Sequence, residues 1–451
     1  MDILFSLQKD GIRVKFENRI YNLKYPKKIF QKYPTAIKKS WFDNFAYLST
    51  LVLPFVNPRV NSLRYNTSYP FFKSSFDKII YEGIPSAYTD FSENAKEFYR
   101  RFVNINYSFA NFKIKQIPKY KHKMKNRAVV AYSIGKDSQL TLGVANELGL
   151  KPVIIYVNDM VSPSENKLKI EYSKATARDL GLDFVEIKNE LEILNDFETW
   201  DSQETCINYM HLVTSFVFAS LPVAHSYKAK YIFIGNQADM SSSFETKHGY
   251  VVNPSTDQTI EATTEHNRMA KLLTSNQTGV YSLIRPLYNI AITKVLFSRY
   301  PEIAKYNSSC CCLDVNDEKR WCHECSSCTR TSIYLLALGI DPKLVGLRSK
   351  FLDKKHKKFY TLFDRKSKDV DADDYTDVAI EQQMLGFYMA YKNGHKGYLI
   401  DLFKRKFLDE AKNREDELYK KYFSVYDTPD IPRELKNRVI NIYKEELEEF
   451  R

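Results

Sequence analysis

"AVVAYSIGKDSQLTLGVANELGLKPVIIYVND", residues 128–159, decides how this chain is read. Ala128 to Tyr132 is a short apolar run of the kind that forms a buried strand, and Leu140, Val144 and Leu148 then recur at helical spacing up to Gly149. Val153 to Val157 gives a second strand, Glu165 to Leu180 a helix stopped by Gly181, and Phe184 to Lys188 a third strand. Strand–helix–strand–helix–strand predicts a parallel sheet with right-handed crossovers, so the fold class is α/β with a doubly wound, mostly parallel sheet. A long helical segment containing "INYMHLVTSFVFASL" leads to one more strand, "YIFIG", ending at Gly235.

Between the first strand and its helix lie Ser133, Ile134, Gly135, Lys136, Asp137 and Ser138. In an open parallel sheet, ligands bind at the carboxyl ends of the strands. Small residues there admit an anion to the backbone N–H groups, the helix start favours phosphate, and Lys136 adds a charge. Asp137 fits a phosphate site when it caps the helix or holds a cation such as Mg2+. A plain polar N-cap is the competing reading. The string is not a Walker loop, which needs Gly-x4-Gly-Lys-[Ser/Thr].

The second constellation is "SSCCCLDVNDEKRWCHECSSCTR". Of seven cysteines, Cys206 stands alone and six fall between Cys310 and Cys328, a clustering that favours thiolate ligation over a disulfide scaffold. Cys322, Cys325 and Cys328 form Cys-x2-Cys-x2-Cys, and Cys312, or Cys310 or Cys311 in its place, supplies a fourth sulfur for tetrahedral zinc. An iron–sulfur cluster is the rival occupant.

Other residues are placed by position. Tyr156, ending the second strand, would lie beside an adenine; Gly235, Asn236 and Asp239 follow a strand on the same edge, with Asp239 a candidate for Mg2+. Lys294 is a candidate to neutralise charge on a leaving pyrophosphate. His211 and His225 sit on an apolar helical segment and read as core histidines, and His323 reads as exposed.

Ser-Ile-Gly-Lys-Asp-Ser resembles the signature Ser-Gly-Gly-x-Asp-Ser of the PP-loop N-type ATP pyrophosphatases, with Ile134 in place of the first glycine. The resemblance implies an adenine nucleotide alpha hydrolase-like sheet, ATP and Mg2+ as cofactors, and cleavage of ATP to AMP and pyrophosphate while a substrate is adenylated, with Lys136, Asp137, Ser138 and Lys294 as catalytic residues. The loop followed by a cysteine cluster ending "CxxCxxCxR" is similar to the 7-cyano-7-deazaguanine synthase family, in which a Ser-Cys and a later Cys-x2-Cys-x2-Cys bind structural zinc (Zn2+). "IFIGNQAD" and "IRPLYNIAITK" are similar to further segments of that family, whereas "YVNDMVSPSENK" replaces its Tyr-Gly-Gln motif. The implied reaction is ligation of a small-molecule carboxylate with ammonia. A tRNA-thiolating PP-loop enzyme and a non-catalytic nucleotide-binding assembly module are the alternatives.

The likeness spans residues 125–340, flanked by an N-terminal domain of unknown role (1–124) and a helical C-terminal extension (341–451). At 451 residues and 44% hydrophobic, the chain has material for a large core. The net charge of +12 fits either a tRNA or protein partner for the basic extensions or a compositional bias. A homodimer is a further expectation. Polar residues interrupt Leu212 to Ala224, so no membrane span is expected, and "MDILFSLQKDGIRVKF" lacks the pattern of a secretory signal, which points to the cytoplasm.

Overall fold

The computed structural model describes residues 1–87, 95–200, 210–246, 249–310, 320–348 and 350–450. Its strands are β1 (Asp2–Gln8), β2 (Gly11–Phe16), β3 (Arg19–Lys24), β4 (Ser62–Ser68), β5 (Asn106–Asn111), β6 (Lys125–Ala131), β7 (Val153–Asn158), β8 (Asp183–Asn189), β9 (Ala229–Phe233), β10 (Phe244–Glu245), β11 (Val251–Val252) and β12 (Gly279–Tyr281). Among the described residues ten of these form one sheet in the order β12-β9-β6-β7-β8-β3-β2-β1-β4-β5, and β10 pairs with β11 apart from it. The five strands from β12 to β8 run parallel. β3, β2 and β1 continue the sheet antiparallel, and β4 and β5 close it in parallel pairing.

β6 explains why the sheet is layered on both sides. Successive side chains of a strand point to opposite faces. Ala128 and Val130, with Ile154, Tyr231 and Phe233, enter one core, while Val129, with Val153, Ile155, Val185, Ile187 and Ile232, enters the other. A strand apolar on both faces must be covered on both. The helices Lys136–Glu147, Pro163–Leu180 and Asn289–Arg299 supply the first layer, and Leu212–Tyr227 and Ile260–Leu273 the second. The strands and helices predicted between 125 and 235 correspond to these elements, with ends that differ by up to three residues; the start of the long helical segment, 207–209, lies outside the described residues, and its helix begins at Leu212. Gly181 caps its helix at φ +64°, a left-handed position natural to glycine.

The sheet is continuous across position 124. Leu23 and Lys24 of β3 pair with Asn189 and Lys188 of β8. Trp41, on the helix Thr35–Leu48, is fully buried and donates its indole N–H to the Phe218 carbonyl at 2.8 Å. The C-terminal residues are equally built in: the Arg285 guanidinium donates to Asp430 at 2.7 Å with both side chains 2% exposed, and also to the carbonyls of Gln237 and Gln258. Among the described residues no helix is long and apolar enough to cross a membrane.

The chain order along the sheet matters for the site. From β6 the chain proceeds to β7 and β8 on one side, then returns to place β9 and β12 on the other. The loops leaving β6 and β9 therefore diverge, which opens a crevice between them at the carboxyl edge.

Asp430→Ala leaves the Arg285 charge buried without its counter-ion and is expected to lower unfolding free energy by about 3–5 kcal/mol. Urea denaturation should show a smaller loss for the double variant Arg285→Met/Asp430→Leu, in which no charge is stranded.

Candidate functional site

The loop after β6 is a closed turn. The Ser133 N–H donates to Ser138 Oγ at 3.1 Å, and that hydroxyl donates to the Gly135 carbonyl at 3.0 Å. Ile134 sits at φ +58°, a conformation that costs a β-branched residue about 1–2 kcal/mol. Its side chain is fully buried in the core beneath the loop, which returns about 1.5–3 kcal/mol. The balance explains how isoleucine stands where a glycine is expected. The Ile134 carbonyl accepts the Ser308 N–H at 3.0 Å, joining the loop to the chain that enters the cysteine cluster.

Lys136 and Asp137 open the next helix, whose N-cap, Gly135, has no side-chain capping bond. Asp137 is thus not a helix cap; its carboxylate takes the Lys136 ammonium at 2.8 Å, and Lys136 also donates to Gln237 Oε1 at 3.2 Å. Gly235 lets the end of β9 come this close, because a Cβ there would stand 3.1 Å from Asp137 Cβ.

Lys136 and Asp137 line an open cleft of about 360 Å³, within the range of small-molecule sites. Two more helices begin on its wall: Asn289 and Thr293 belong to the first turns of Asn289–Arg299, and Ser327 and Arg330 to those of Ser326–Ala337. Three helix N-termini border one space, and their positive dipole ends favour an anion there; at the Asn289 helix the first two N–H groups are already taken by Asp239 and Gln382. Arg330 adds a cation held by Asp374 at 2.7 Å and Asp373 at 2.8 Å. Burial raises the Asp374 carboxyl against the pull of Arg330. Arg330 was legible only as the last letter of "CxxCxxCxR", and Asp373, from the C-terminal extension, carried no sequence signal.

Other expected residues are placed elsewhere. Tyr156 is buried, donates its hydroxyl to Asn166 Oδ1 at 2.6 Å and does not line the cleft. Asn236 is buried and donates to Thr263 Oγ1. Asp239 lies beneath the cleft, accepting from the Asn289 N–H at 3.1 Å, from Asn289 Nδ2 at 2.9 Å and from Gln382. Its oxygens are committed to protein donors, so it orients Asn289 instead of facing a cation. Lys294 points the other way along its helix: Thr293 lines the cleft, whereas the Lys294 ammonium pairs with Glu449 at 2.5 Å. His211, the fully buried N-cap of the helix Leu212–Tyr227, is a core residue beside Glu192, whereas His225, near the end of that helix, is only partly buried and bonds the Tyr120 hydroxyl.

The cysteines converge. The sulfurs of Cys310, Cys322, Cys325 and Cys328 all lie within 4.8 Å of one another, with 3.8 Å from Cys322 to Cys328 and 3.4 Å from Cys325 to Cys328. Sulfurs at the corners of a zinc tetrahedron stand about 3.8 Å apart, given Zn–S bonds near 2.3 Å. The four thiols, none in a disulfide, can hold a metal such as zinc, with no position left for substrate. Cys310 is the fourth member; Cys311, Cys312 and Cys206 lie outside the described residues. The Cys322 and Glu324 N–H groups donate to Cys310 and Cys322 sulfurs, and His323, at φ +67°, turns away to accept from the Arg348 N–H. Ser309 and Ser327, each next to a cluster cysteine, line the cleft, so a metal here would staple two segments of its wall.

Purified protein is expected to carry about one zinc per chain by elemental analysis, and Cys328→Ser to lose the metal together with several degrees of melting temperature. A second expectation follows from Asp239, whose carboxyl burial pushes up to about 6 from 3.8. The folded state holds this proton more tightly, so the group's stabilising contribution is complete below pH 3.8 and is lost as the pH rises through about 6. Unfolding measured from pH 4 to 7 should show wild type losing stability relative to Asp239→Asn over that window. No protein-family model and no curated protein matches this chain.

Proposed function

We propose that the protein is an ATP-dependent ligase of the PP-loop class, built on a doubly wound adenine nucleotide alpha hydrolase-like sheet, that adenylates a small-molecule carboxylate and releases pyrophosphate and then AMP. The observation that carries this reading is the Ser133–Ser138 loop at the crevice between β6 and β9, opening on a cleft that Lys136 and three helix starts also face. The cysteine knuckle behind that wall, with Arg330 two residues after Cys328, adds the second half of the likeness to 7-cyano-7-deazaguanine synthases.

In the first half-reaction a substrate carboxylate oxygen bonds to the α-phosphorus of ATP, and the α–β bridging bond breaks with its electron pair leaving on pyrophosphate. Lys136 and the helix starts stabilise charge as it builds on the phosphoryl oxygens. Asp137 is the carboxylate on the cleft wall that would hold Mg2+, which would screen the phosphates when bound. Ammonia or another amine then displaces AMP. Zinc at the four cysteines is structural.

Phosphorus NMR of the protein with ATP, Mg2+, ammonia and 7-carboxy-7-deazaguanine tests the reading. AMP and pyrophosphate that depend on the deazaguanine are the expected result. Pyrophosphate without that dependence redirects the search to another carboxylate or to tRNA, and absence of turnover with every acceptor overturns the ligase assignment. Asp137→Ala is expected to reduce AMP release at least about 10²-fold while leaving the zinc content unchanged.

A further inference from the structure

We propose that Asn289, Tyr334 and Asp373 form a binding site for the ammonium group of a primary amine, the nucleophile of the second half-reaction, an inference that rests on the ligase reading above.

The site starts from a locked amide. Both the main-chain N–H and the side-chain NH2 of Asn289 donate to Asp239, Gln382 donates to the same carboxylate, and Gln382 Oε1 accepts the Ile290 N–H at 3.1 Å. Those bonds fix which end of the Asn289 amide is oxygen, since the nitrogen must face Asp239. Asn289 Oδ1 is left without a hydrogen-bond partner among the described residues, on a side chain only 3% exposed. The Tyr334 hydroxyl has none either, on a side chain 1% exposed. An unsatisfied buried polar group costs about 1–3 kcal/mol, and both of these belong to residues that line the same cleft.

Asp373 lines the cleft with them and sets the charge of the missing ligand. Asp371, Asp373 and Asp374 gather around the Arg330 guanidinium, and of the three Asp373 is the one that lines the cleft. An R–NH3+ group brings three donors and one positive charge. Asn289 Oδ1, the Tyr334 hydroxyl oxygen and an Asp373 oxygen are three acceptors for it. The acidic cluster itself is filled differently: Arg330 already occupies the oxygens that a divalent ion would need. Burial holds the Tyr334 hydroxyl well above its ordinary value, so it remains a phenol.

For amide formation the ammonium first gives one proton to Asp373, the carboxylate on this wall, which frees the nitrogen lone pair. The nitrogen then bonds to the acyl carbon, the carbon–oxygen bond to AMP breaks with its pair leaving on the phosphate, and the nitrogen gives its second proton to solvent.

The test needs neither ATP nor the carboxylate substrate, so its failure is separable from a failure to release AMP. Methylammonium chloride is titrated into the full chain and its methyl proton linewidth followed, with tetramethylammonium chloride, which has no N–H, as the control. Methylammonium alone should broaden. Tyr334→Phe removes a hydroxyl without a hydrogen-bond partner among the described residues, so its unfolding midpoint should equal or exceed that of wild type while methylammonium binds about fivefold more weakly, the loss of one hydrogen bond. Asp373→Asn should weaken binding further. Equal broadening by both amines, no broadening at all, unchanged affinity in Tyr334→Phe, or displacement of methylammonium by equimolar Mg2+ would each overturn the assignment.

Discussion

β6 must bury both of its faces, and the molecule is arranged around that requirement. Val129 and Val130 enter separate cores, so helices have to reach both sides, and the chain adds strands first to one side of β6 and then to the other. The reversal places the loops after β6 and β9 back to back. Gly235 then decides how tightly they meet, since any side chain there would press on Asp137.

The loop is held from below and from the side by different means. Beneath it, the buried Ile134 side chain anchors a residue whose backbone conformation is unfavourable; removing the strain by substituting glycine would also remove the anchor. From the side, the Ser308 N–H reaches the Ile134 carbonyl two residues before Cys310 joins the cysteine cluster. Metal binding and loop geometry are therefore coupled through a stretch of three residues. An ion held by the cysteines would in this way set the position of the Ser133–Ser138 turn without touching it.

Consecutive burial of the apolar runs Ala128–Val130 and Val153–Tyr156 made the central strands legible, and the recurrence of Leu140, Val144 and Leu148 at helical spacing did the same for the helix that follows β6. Cys322, Cys325 and Cys328 were legible from spacing, and the identity of the fourth sulfur was not, since three adjacent cysteines differ only in where a loop turns. Lys294 shows the limit of motif distance. One residue separates it from Thr293, and on a helix that is a rotation of about 100°, enough to carry its ammonium from the cleft to Glu449. Asp239 reads in the sequence as a loop carboxylate, but the donors that commit it come from Asn289 and from Gln382, the latter over a hundred residues away. Asn289, Tyr334 and Asp373 had no pattern of their own to reveal them.

The C-terminal extension is part of the cleft wall and not an accessory to it. Gln382 helps fix Asp239 and through it Asn289; Asp430 holds Arg285, which braces the Gln237 carbonyl; Asp373 and Asp374 hold Arg330. Each line runs from beyond residue 370 to a residue on the cleft. A chain ending at 340 would strand Arg285 and Arg330 in their mostly buried positions, at about 3–5 kcal/mol apiece. Together they approach the roughly 5–15 kcal/mol by which a domain is stable at all. The segment that carries the nucleotide-loop likeness therefore does not hold its own site, and the extension belongs to the same functional unit.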